Sequence, residues 1–148
     1  MYFLIIFLSM IFMHIVDDYY LQGKLSQLKQ NSFWKNKNNY NFDPSSDNYM
    51  SLDNYMHKCR FDHYVALFMH SFSWTFMIML PITVLMVINN NVLVVPWVVA
   101  FVVNWVIHGW IDHLKANVHN ISLVVDQVIH ICQIIATWCL MTEIMEVL

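Results

Sequence analysis

The chain has 148 residues, 59% hydrophobic and only 11% charged, with a mean hydropathy of +0.50. Soluble domains carry about a quarter charged residues, so this is a membrane composition, long enough for one domain, residues 1–148. The net charge is −3 and there are seven basic residues, which gives no support for nucleic-acid binding. The spacing of Cys59, Cys132 and Cys139 suggests neither a disulfide framework nor a cysteine-based zinc site.

Four apolar segments follow one another, each near the ~20 residues needed to cross a bilayer core. The first spans about 2–21 and lacks the basic start and cleavage site of a removable signal peptide. A helix-compatible extension, Gly23 to Gln30, leads from it into a long polar loop of about 31–56, rich in Asn, Ser, Asp and Tyr. The second spans about 64–88, with Pro81 as an expected kink. Asn89, Asn90 and Asn91 form a tight turn to the third, about 92–111, where Pro96 falls in the tolerant first turns. The stretch from Asp112 to Asn120 leads to the fourth, about 121–142. The expected fold class is therefore all-α: an integral membrane four-helix bundle with a long polar loop between helices 1 and 2.

Charge sets an orientation. Lys24, Lys29, Lys35, Lys37, Lys58 and Arg60 lie in the first connection and Lys115 in the third. Four spans put those two connections on one side, which the positive-inside rule makes cytoplasmic, with both termini outside.

Three of the segments carry a His and an Asp four residues apart: His14–Asp18, His108–Asp112 and Asp126–His130. That spacing is about one helical turn, so each pair projects from one face. With His70, all of them fall at the cytoplasmic end. Imidazole and carboxylate suit a divalent cation, zinc first, manganese or iron next. The candidate ligands are His14, Asp18, His70, His108, Asp112, Asp126 and His130, a surplus over the four of a zinc site. Two metals or orienting carboxylates would account for the surplus. Asp18, Asp112 and Asp126 are the candidate catalytic carboxylates. Lys29, Lys115 and Gln22, which extends the His14–Asp18 face, are the candidate substrate-binding groups. Asp17 lies off that face and is expected to meet solvent. His63 stands two turns before His70 and could cap the same face. His113 and His119 read as interfacial loop residues, and the tryptophans as packing or interface anchors.

The patterns His14-x3-Asp18-x3-Gln22-x6-Lys29, His108-x3-Asp112-x2-Lys115 and Asp126-Gln127-x2-His130 resemble an uncharacterised family of small bacterial and phage integral membrane proteins. The resemblance covers segments one, three and four, and segment two only through His70. It implies that the motif residues belong to one site, and it brings no established reaction. The expected function is a membrane-embedded, metal-dependent hydrolase. Its substrate would be a phosphoester or similar bond in a lipid or anionic small molecule at the cytoplasmic face. The alternatives are a non-catalytic membrane factor that binds a partner through the long loop, and a proton or ion relay. A purely structural polar network is the bland reading, and a homo-oligomer is compatible with any of these.

Overall fold

In the computed structural model, residues 2–36, 52–90 and 93–147 are described. Among them there is no strand. The helices are α1 (Tyr2–Ile15), continued by a π segment (Val16–Leu21), then α2 (Leu25–Leu28), α3 (Asn31–Lys35), α4 (Leu52–Lys58) and α5 (Asp62–Ile88). They are followed by α6 (Val94–His113), continued by a second π segment (Leu114–Val118), and α7 (Leu123–Val147). Four helical stretches are long and apolar enough to cross a membrane: Tyr2–Leu21, Asp53–Ile88, Val94–Val118 and Leu123–Glu146.

The boundaries correct the sequence reading at two places. The polar loop of about 31–56 is helical at both ends, as α3 and α4; its centre, 37–51, lies outside the described residues. The link after Asp112 is also not a loop, because the backbone stays helical to Val118 before His119 turns it in a left-handed conformation with φ 59°. Pro81 sits buried inside α5 without ending the helix.

The long helices pack as a ring in chain order: α1 against α5, α5 against α6, α6 against α7, and α7 back against α1. Met10, Ile78, Met79, Ile82, Met86, Ile134 and Met141 fill the interior toward one end. The outward faces carry Leu4, Leu8, Val84, Val98, Val102, Val106 and Val128, all exposed. An apolar face this continuous on every long helix fits a hydrocarbon surrounding.

Close approach between α5 and α6 depends on Gly109. A Cβ there would lie 2.9 Å from Ser71 Oγ, a separation that real Cβ atoms do not show. At the other end of the site, Gly23 adopts φ +47°, which releases the chain from the first π segment into α2. The α2–α3 connection then folds onto the second π segment. Asn117 Oδ1 accepts from the Asn31 backbone N–H at 2.7 Å, and Asn117 Nδ2 donates to the Lys29 carbonyl at 3.1 Å. That clamp turns Lys29 toward the bundle interior, where it is 7% exposed.

Candidate metal centre

His14, His70, His108 and His130 project from α1, α5, α6 and α7 into one buried cluster. Each sits on an inner helical face one turn from an inward polar or aromatic residue, as the four-residue spacing expects. His70 Nε2 is the hub. It lies 3.3 Å from His108 Nε2, 3.2 Å from Asp112 Oδ2 and 3.5 Å from Asp18 Oδ1, and accepts from Gln22 Nε2 at 2.9 Å. On the far side, His130 Nε2 lies 3.6 Å from Asp112 Oδ1 and 3.4 Å from Asp126 Oδ1.

Two triads of possible ligand atoms are compact enough to hold one ion each: Asp18–His70–His108 and His108–Asp112–His130, within 4.8 Å. Zinc–nitrogen bonds of 2.0–2.1 Å in a tetrahedron place two nitrogens about 3.3 Å apart, the spacing seen between His70 and His108. His14 and Asp126 lie outside both triads. His14 has both ring nitrogens engaged: Nδ1 accepts from Trp74 Nε1 at 2.8 Å, so Nε2 carries the proton and donates to Gln127 Oε1 at 3.1 Å. Asp126 accepts from Lys115 Nζ at 2.5 Å through Oδ2, while its buried Oδ1 makes no hydrogen bond.

The tautomer of His130 follows from a chain of amides. Asn104 Nδ2 donates to the Ala100 carbonyl at 2.9 Å and to Thr137 Oγ1 at 2.7 Å, so its oxygen is left to accept. Gln133 Nε2 donates to Asn104 Oδ1 at 3.4 Å and to the Asn104 carbonyl at 3.3 Å. The Gln133 oxygen therefore faces His130 Nδ1 at 3.3 Å, and that nitrogen must be the donor. In neutral imidazole this leaves a lone pair on Nε2, a fully buried atom with no hydrogen-bond partner between two carboxylate oxygens. A lone pair facing two anionic oxygens is repulsive unless a proton or a metal cation lies between them.

The charge balance points the same way. Among the described residues, the four carboxylates Asp17, Asp18, Asp112 and Asp126 are matched by two ammonium groups, Lys29 at 2.5 Å from Asp112 Oδ2 and Lys115 on Asp126. Buried uncompensated carboxylate is among the costliest features a protein can carry. The donor set of neutral imidazole and carboxylate fits a divalent cation.

Asp17 corrects the sequence reading. It is 1% exposed, accepts from Ser73 Oγ at 2.6 Å and lies 3.7 Å from His70 Nδ1. The cause is the π segment, whose i→i+5 bond from Gln22 N to the Asp17 carbonyl widens the turn. Asp17 and Asp18 both come inward as a result. Trp74 is the other missed residue. It lies one turn after His70, donates to His14 and stacks on His108 with ring centroids 4.0 Å apart. Applying the four-residue spacing to His70 finds it. Gln127, already inside a quoted motif, also reaches the site, with Nε2 3.1 Å from Asp126 Oδ2. His63 is buried against Tyr64, whose ring also stacks with His113, and no contact joins it to the cluster among the described residues.

Among the described residues, the cluster borders a recess of about 160 Å³ between the first π segment, α2 and the start of α7. Asp18, Gln22, Lys29, Asp112, Lys115 and Gln127 are among the residues lining it. Gln22, Lys29 and Lys115 thus stand at the mouth, with both lysines paired to carboxylates. No family model, no curated protein and no solved structure matches this chain.

Proposed function

We propose that this chain is a multi-pass membrane protein with a divalent-metal centre at its cytoplasmic face, and that it hydrolyses a phosphoester or similar bond. The observation that carries the reading is His130 Nε2, left by the Gln133 contact at Nδ1 to face Asp112 and Asp126 without a hydrogen bond, where a cation would bridge them. His108, His130 and Asp112 would hold the metal; the alternative triad, Asp18, His70 and His108, shares His108 with it. When bound, such a cation polarises a phosphoryl oxygen and makes its water acidic near neutral pH. Asp18 lines the recess and is placed to take a proton from an attacking water. Lys115 and Lys29 stand at the same mouth and would exchange their carboxylate partners for an anionic substrate group. Zinc suits the donor set best.

The side assignment rests on the basic residues of the first and third connections. The meeting of the three motifs supports a place beside the small bacterial and phage membrane proteins that they resemble. A proton relay would need a polar path through the bundle. Met10, Ile78, Ile82 and Met141 fill the interior beyond Thr137 instead, which favours the metal reading.

The test is metal content by mass spectrometry on detergent-purified protein, wild type beside His130→Ala, followed by a phosphoester screen of the loaded protein. One or two equivalents in the wild type, lost in the variant, with turnover of a phosphoester, is the expected result. A folded wild type that stays empty in zinc, manganese and iron would overturn the reading.

A further inference from the structure

The proposed hydrolase still has two candidate substrate classes, a lipid or a soluble anion, and the surface beside the mouth separates them. A groove of about 460 Å³ runs along the first turns of α7, lined by Val124, Val128, Ile131 and Cys132. The spacing of these residues puts them on one helical stripe. The groove shares Tyr19, Leu123 and Gln127 with the polar recess, so the two adjoin across these three side chains. One turn of α7 therefore presents Gln127 to Asp18 and His14, and Val124 and Val128 to the outside. A soluble anion would use only the polar recess. A molecule that fills both has a charged head and an apolar chain.

A second outward groove provides the contrast. It lies between α5 and α6, about 370 Å³, lined by Leu67, Phe68, Ser71, Trp105, Val106 and Gly109. None of these residues lines the polar recess. Both grooves lie on outward faces, but of the two the one on α7 borders the charged recess.

Resting on the metal-hydrolase reading, we infer that the substrate is an anionic membrane lipid entering sideways between α1 and α7. Its headgroup meets Lys115 and Lys29 in the recess, and an acyl chain lies along Val124, Val128 and Ile131.

The test uses the full chain, zinc-loaded, in phosphatidylcholine vesicles. Cys59→Ser and Cys139→Ala leave the exposed Cys132 to carry a bimane fluorophore. A control protein with the same Cys59→Ser and Cys139→Ala changes carries the fluorophore at Val106→Cys, with Cys132→Ser. Each is titrated with phosphatidic acid or phosphatidylcholine bearing brominated chains. At Cys132, phosphatidic acid should quench at about fivefold lower mole fraction or less, the preference one lysine near a headgroup supplies, and Lys115→Gln should remove it. The Val106 label should show no preference. Equal quenching by both lipids at Cys132, or the same preference at Val106, overturns the inference. Zinc content on the same vesicles separates the two readings. Zinc bound without lipid preference sinks the lipid substrate and leaves the centre standing. Preference without zinc keeps the lipid site and sinks the hydrolase. Neither zinc nor preference sinks both.

Discussion

At one end of the four long helices Met10, Ile78, Ile82 and Met141 fill the interior; further along the same helices His14, His70, His108 and His130 fill it instead. The apolar end has no hydrophobic driving force of its own in hydrocarbon and is held by shape and dispersion. It tolerates change in proportion to the volume lost. The polar end is held by pairs whose partners come from different helices: Lys29 with Asp112, Lys115 with Asp126, and Gln22 with His70. There each truncation strands another group. The contrast teaches that the same four helices are held by packing at one end and by specific polar pairs at the other.

Four substitutions sharpen or break that contrast, taken here from the largest effect. Asp112→Ala leaves Lys29, His70 and His130 without their shared carboxylate, a loss of about 3–5 kcal/mol for a broken buried pair. Thermal unfolding in detergent should fall accordingly and bound metal should disappear; full metal retention would break the assignment of the site. Ile78→Ala, at a fully buried apolar position, should cost about 2–4 kcal/mol by leaving a cavity, with metal stoichiometry unchanged. Metal loss there would mean that the two ends are not separable.

Gln133→Leu frees His130 Nδ1 from its acceptor and allows the other tautomer. Metal affinity should drop about 10–100-fold, read by competition with a chelating dye, as for other outer partners of ligating histidines. An unchanged affinity would remove the amide chain from the argument. Gly109→Ala pushes a methyl against Ser71 Oγ and should cost about 1–3 kcal/mol by overpacking. Because His108 precedes it directly, a small fall in metal affinity should accompany the fall in unfolding temperature.

Much of the cluster was legible because helical periodicity is written directly in residue spacing. His14, Asp18, His108, Asp112, Asp126 and His130 were found by it, and the clustering of their ends follows from alternating helix direction. Asp17 escaped the same rule because the rule assumes an α-helical turn, and residues 16–21 form a π turn. Trp74 escaped because tryptophan in a membrane helix ordinarily anchors or packs, and its indole N–H found a histidine from another helix. The helical ends of the loop, α3 and α4, were hidden by polar composition. For α3, docking on Asn117 outweighs the weak local propensity.

The sequence by itself determined four apolar helices and a set of His and Asp residues at one depth, because hydropathy and turn spacing are local properties. Only the tertiary structure decided which of those groups find partners within the chain. It engaged both nitrogens of His14, tied Lys29 and Lys115 to carboxylates, and aimed Nε2 of His130 between Asp112 and Asp126. Those outcomes depend on hydrogen-bond partners contributed by other helices and connections, and a protonation state or a pairing is settled only when such partners meet.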